Sequence, residues 1–184
     1  MRKLKYHEQK LLKKVDFLQW KSDQNLREIK VIRRYLIQNR DDYHKYNKIV
    51  GLITKLTARL KTLSPSDEFR IKMTQQLLDK LFNMAIISTK KSLTNAEGCT
   101  VSAFCRRRLP VVMVRLKMSE TLKEAVTFIE QGHVRVGPHA VTDPAYLVTR
   151  TMEDFVTWVT GSKIKRAIKT YEDRVDDYDL LGEV

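Results

Sequence analysis

The sequence predicts an α+β protein, with a mainly helical N-terminal region followed by a small domain closed by short antiparallel strands. Three observations lead there. Apolar residues recur at helical spacing from Ile29 through Leu81. A pair of short helices follows, with one apolar stripe of Leu109, Val112, Met113 and Leu116 and a second of Leu122, Ala125, Val126 and Ile129. Then His133-Val134-Arg135-Val136 alternates, pointing both valines one way and both polar residues the other, before Gly137-Pro138 turns the chain back.

In chain order, the segment from Met1 to Lys21 is basic and helical from about His7. Leu4, Leu11, Val15 and Leu18 form a narrow apolar stripe that Trp20 extends, and Lys3, Lys5, Lys10, Lys13 and Lys14 cover the rest. It is a candidate arm that folds against RNA or protein. The plainer alternative is a solvated helix packed on its own domain. Asn25 to Arg40 continues helical, with Ile29, Ile32 and Leu36 on one side. Tyr46, Ile49, Ile53, Leu56, Leu60 and Leu63 then mark one seam along a helix of about five turns. Ser64-Pro65-Ser66-Asp67 ends that helix and caps the next, whose stripe holds Met73, Leu77, Leu78 and Leu81. The two are expected to form an antiparallel hairpin, each helix burying its stripe on the other. Ser88 to Gly98 is polar and expected to be a loop. Beyond Thr149, Phe155, Val156, Trp158 and Val159 are expected to cover the core as a strand. Ser162 to Lys169 is expected to be a short basic helix, and Glu172, Asp173, Asp176, Asp177 and Asp179 give an acidic end. The expected division is an arm and hairpin over 1–98, a compact α+β domain over 106–160, and a basic helix with acidic tail over 161–184.

Within the helix pair, Pro110 falls in a first turn, where its missing N–H costs little. Thr121 and Glu124 have the spacing of a capping box, and Gly132 is placed for a left-handed stop.

Charge narrows the function. The formal net charge is +13 over 184 residues, and the isoelectric point is near 9.8. An excess of that size favours a polyanionic partner. A hydrophobic content of 42% suffices for a core. The N-terminus shows no signal-peptide apolar run and no membrane span follows, so a membrane partner is not expected. Cys99 and Cys105 lack metal-ligand spacing and read as reduced thiols. No metal or cofactor motif is present, and no small-molecule substrate is expected.

Arg106, Arg107 and Arg108 open a helix, where three cations oppose the macrodipole and a bound phosphate would relieve them. The competing reading pairs them with carboxylates of the same chain. Both Arg107 and Arg108 are expected to be exposed, so that replacing them with Glu weakens RNA binding without unfolding the protein. Lys117, Thr121 and Lys123 can bridge neighbouring phosphates, and Arg115 joins them. His133 and Arg135 share the face opposite the buried valines. No nucleophile motif stands near His133, and Cys105 reads as a packing residue despite its arginine neighbours, so no catalytic residues are expected. A phosphate-facing helix pair reads RNA shape and backbone rather than base sequence.

Arg108-Leu109, Thr121-x-x-Glu124-Ala125 and Gly132-His133-Val134-x-Val136, in that order, resemble the S4 RNA-binding domain (the αL motif). The chain departs from that pattern at Gly137-Pro138, where Asn-Gly is common. It also departs at Leu122 and Val126-Thr127, where arginines are common, which shifts weight to Lys123, His133 and Arg135. Longer blocks widen the resemblance to nearly the full length. These are RKLKYHEQKLLKKVDFLQW, LLDKLF, CRRRLPVVMVRLKM, FIEQGHVRVGP, DPAYLVTRTMEDFVTW and SKIKR. Over them the chain is similar to the S4-like branch found in the U3 small nucleolar ribonucleoprotein. That resemblance implies a nucleolar, non-catalytic component of the small-subunit processome. Its partners would be the small nucleolar RNA, precursor ribosomal RNA and other processome proteins, and it would assist pairing of the two RNAs before early 18S rRNA processing. The alternative within the same family is a mature small-subunit ribosomal protein. An RNA-modifying enzyme carrying the same domain is disfavoured, because the rest of the chain is mostly helical and has no nucleotide-binding loop.

Overall fold

The computed structural model describes residues 2–14 and 22–172. The expected contributions of Val15, Leu18 and Trp20, and of the acidic residues after Glu172, fall outside them. Helix α1 spans Tyr6–Lys14. Its start is held by Glu8, which accepts from Lys5 N at 2.9 Å and pairs with Arg2 at 2.8 Å. Lys3, Lys5 and Lys10 are exposed there, as is Tyr6 at 79%.

Helix α2 (Ser22–Tyr35), α3 (Arg40–Thr62) and α4 (Glu68–Asn83) build the first core. Asp67 caps α4 through Phe69 N at 2.9 Å, as the Ser-Pro-Ser-Asp signal requires. The seam of α3 is only half as expected. Tyr46, Ile53, Thr57 and Leu60 are buried, whereas Ile49 and Leu56 are each 41% exposed. The stripe is displaced because α4 is not its main cover. The stretch expected to be a loop contains helix α5 (Leu93–Glu97), followed by α6 (Val101–Cys105), and both pack on α3. Ala96, Cys99, Phe104 and Cys105 complete the core, with Phe104 stacked on Tyr46 at 5.9 Å between ring centroids.

The second core lies beneath α7 (Leu109–Arg115) and α8 (Leu122–Glu130), which pack on one another. Pro110 sits in the first turn of α7, and Thr121 and Glu124 form the capping box on α8. Leu109, Val112, Met113, Ala125 and Ile129 are fully buried, but Leu116 lies past the last turn and is 39% exposed. Strand β1 (Val134–Val136) pairs antiparallel with β2 (His139–Ala140) and with β3 (Val156–Trp158), giving the order β2-β1-β3. Val134 and Val136 point into the core, and Gly137 takes the left-handed φ of 60° that the tight reversal needs. Phe155 does not join the strand. It ends a single 3₁₀ turn from Glu153 and is 57% exposed. Helix α9 (Lys163–Tyr171) follows, capped by Ser162.

Segment 146–150 ties the two cores together. Leu109 N donates to Tyr146 O and Val148 N to Arg107 O, each at 2.9 Å, and Arg150 N donates to Asn83 O at 2.9 Å. The Arg150 guanidinium lies 3.9 Å from the Phe82 ring centroid and also donates to Phe82 O and Ile87 O.

Candidate nucleic-acid interface

The three consecutive arginines have three different fates. Arg107 is 5% exposed and Arg108 2%. The expectation that both face solvent is therefore overturned. The Arg107 guanidinium donates to Val148 O through Nε (2.9 Å) and Nη2 (2.7 Å), to Thr149 O at 3.2 Å, and to Glu153 Oε2 at 2.9 Å. Arg108 is the N-cap of α7, and its Nη1 reaches Asp42 in the first turn of α3 at 3.2 Å and Tyr46 Oη at 3.4 Å. Burying a guanidinium requires that its donors find acceptors. The carbonyls of 148–149 and the Glu153 carboxylate take all three nitrogens of Arg107, and Asp42 with Tyr46 takes Nη1 of Arg108, so both guanidiniums are turned to protein rather than to solvent. Only Arg106 is exposed; its Nε donates to Ser102 O at 3.3 Å.

The remaining candidates fall in two places. At the α7–α8 corner, Arg115, Lys117 and Lys123 are exposed around Thr121. Arg115 keeps 51% of its side chain exposed while pairing with Glu153, which it shares with Arg107. Lys117 has φ 59° and occupies the left-handed position ending α7. Met118 N bonds back to Met113 O at 3.0 Å, which makes this a Schellman stop with lysine where glycine is usual. Gly132 (φ 74°) closes α8 the same way, through His133 N to Phe128 O at 3.0 Å. Thr121 has its hydroxyl occupied by Glu124 N at 3.3 Å.

Arg135 on β1 and His133 just before it are both half-buried. Arg135 Nε donates to Thr157 Oγ1 at 3.0 Å across the strand pair. His133 Nδ1 stands 3.0 Å from the buried Ser162 Oγ, which also accepts from Ile164 N at 3.2 Å. His133 thus anchors the start of the basic helix α9. Sequence reasoning assigned it only to RNA, and nothing in the spacing of His133 and Ser162 signals the pairing.

Cys105 carries none of the activation its arginine neighbours suggest. Burial pushes its thiol up to about 11, and Arg108 offsets that only in part. Cys99 and Cys105 are both free and buried.

A cationic helical corner over a three-stranded antiparallel sheet, joined to a helical domain through buried arginines, defines an S4-type RNA-binding protein. The signature of the ribosomal protein S4/S9 N-terminal domain matches residues 3–106, and that of the S4 domain residues 107–154. The chain is 61% identical over 181 residues to the U3 small nucleolar ribonucleoprotein protein IMP3 of Saccharomyces cerevisiae, covering 98% of this chain and 99% of that one. It is 54% identical over 181 residues to the protein of the same name from Homo sapiens, covering 98% of each. The small ribosomal subunit protein uS4 of Caldivirga maquilingensis is more distant, at 30% over 154 residues and 83% of this chain. The chain belongs to the ribosomal protein S4 family, on the branch of the U3 small nucleolar ribonucleoprotein protein IMP3.

Proposed function

We propose that this chain is a non-catalytic, nucleolar RNA-binding component of the U3 small nucleolar ribonucleoprotein and small-subunit processome. In this reading it assists pairing of the small nucleolar RNA with precursor ribosomal RNA ahead of 18S rRNA processing. The observation that carries this is the 61% identity over 98% of the chain to a protein of that particle. The geometry supports it. Arg106, Arg115, Lys117, Lys123 and Arg135 present cations suited to phosphates, while Thr121 and His133 are committed to holding α8 and α9. Arg107 and Arg108 leave the phosphate-contacting set, because both are buried and paired with carboxylates of the same chain. The exposed Lys3, Lys5 and Lys10 of the arm, continued in sequence by Lys13 and Lys14, supply a second cationic element.

Two cationic elements on one chain screen two RNA backbones at once and lower their mutual repulsion. An annealing assay with labelled fragments of the small nucleolar RNA and its precursor target tests the mechanism. Full-length protein should raise duplex yield, and deletion of Met1 to Lys21 should reduce that gain while leaving single-RNA binding intact. Unchanged annealing with protein present rules the mechanism out. Sedimentation of tagged protein from nuclear extract separates the processome reading from the ribosomal one: large precursor particles support the first, mature small subunits the second.

A further inference from the structure

The one exposed arginine of the triplet borders a groove that the motif does not account for. The groove lies between the turn after α4 and the short helices α5 and α6, with a volume of about 350 Å³. Ile86, Ser88, Asn95, Gly98, Thr100 and Arg106 define it. Most of its accessible lining is polar, and Ile86 with the buried Ile87 and Cys99 supplies the smaller apolar part. Its walls are polar and accessible. Thr100 is the N-cap of α6, yet its hydroxyl makes no capping bond. Ser88 is exposed, and Asn95 donates through Nδ2 to Thr89 (2.8 Å to Oγ1), which leaves its Oδ1 to accept from an incoming donor. Arg106 folds along α6 through its bond to Ser102 O, and no carboxylate pairs with it among the described residues.

The geometry points to a binding site for one unpaired RNA nucleotide in this groove. Several features match that ligand. Hydroxyl and amide groups take the edge of a base or the ribose 2′-hydroxyl, and the small apolar patch at Ile86 meets one face of the base. A guanidinium at the mouth takes the flanking phosphate. The volume falls at the small end of ligand sites, which suits one nucleotide and not a longer segment. The half-open form fits a residue splayed from a passing strand rather than an enclosed cofactor. Arg106 lies two residues before the N-cap of α7, so a helix bound at the S4-type motif and a nucleotide lodged here would belong to one RNA. This inference rests on the RNA-binding reading above and adds to it a contact with an unstacked base. The recognition it predicts is of a bulge or strand end, beyond backbone shape alone.

Two hairpins with the same stem, one carrying a single unpaired nucleotide, test it by fluorescence anisotropy with the full chain. The unsubstituted protein should bind the bulged hairpin about tenfold more tightly, the worth of one or two net hydrogen bonds to the lodged nucleotide. Gly98→Leu is the blocking variant. Gly98 has an ordinary φ of −73°, and a Cβ there meets only Thr94 O at 3.6 Å, so a side chain can be added at this lining position without backbone strain. It should abolish the preference and leave affinity for the plain stem unchanged. Thr100→Val removes one hydroxyl at constant shape and should cut the preference roughly threefold; it decides the question should the Gly98→Leu chain fail to fold. Equal binding of both hairpins by the unsubstituted protein overturns the groove while leaving RNA binding standing. So does a preference that survives both substitutions. Binding of neither hairpin overturns the RNA-binding reading itself, and this inference with it.

Discussion

Arg108 illustrates how one side chain can be assigned to the wrong partner by its neighbours in sequence. It bridges the two cores, with Asp42 of α3 at 3.2 Å. Arg108→Ala leaves Asp42 without its buried partner and opens space under α7, so the expected loss is about 3–5 kcal/mol in urea unfolding, with a lowered melting temperature. Arg106→Ala should leave stability within about 0.5 kcal/mol and weaken RNA binding instead. A stable, binding-deficient Arg108→Ala protein would restore that residue to the phosphate-contacting set. Acid sensitivity follows from two carboxylates. The Arg40 hydrogen bond holds Glu28 below its ordinary 4.5, against the opposing effect of burial. At Glu153 burial pushes upward, but Arg107 and Arg115 together outweigh it and hold the group below the same ordinary value. Both therefore contribute stability that is fully present above the unfolded-state pKa and is lost as pH falls through the lower folded-state values. Unfolding free energy should be flat from neutral pH down to about 5 and fall below that. Glu153→Gln should flatten the acid limb.

At the scale of elements, the short helices are specified by their ends. The Thr121–Glu124 box, Pro110 and Gly132 were all legible, because capping depends on residues within one turn of each other. Lys117 was legible only as a cation. Its left-handed φ of 59° is a conformation that costs a side chain with a Cβ about 1 kcal/mol. A phosphate contact by its exposed ammonium at the α7–α8 corner would explain lysine at a glycine position. Lys117→Gly should keep or raise the melting temperature, while lowering RNA affinity and the magnitude of the salt slope by roughly one. If affinity is unchanged, Lys117 contributes no phosphate contact and its backbone strain is unexplained. The missed helices α5 and α6 show the limit of reading by period. Five residues apiece give too few turns for an apolar stripe to register, and their order comes from packing on α3.

For the whole molecule, the +13 charge implies a strongly salt-dependent association. Contact with roughly six phosphates gives a log–log slope of affinity against salt of about −4 to −5, and Lys123→Gln with Arg135→Gln should reduce its magnitude by about two. A salt-independent affinity would remove electrostatics from the account. The α+β class, the helix pair, the alternating strand and the preference for a polyanion were determined by the sequence itself, since each rests on local periodicity, capping chemistry or summed charge. What only the tertiary structure decided was which cations are left over for RNA. Arg107 meets carbonyls some 41 residues away, Arg108 a carboxylate 66 residues away, and His133 a serine 29 residues away. The displaced seam of α3 has the same origin, in covering helices that no local pattern announces. Whether a buried guanidinium holds a fold together or an exposed one awaits a phosphate depends on which acceptors the folded chain brings within about 3 Å, and separation in sequence carries no record of that distance.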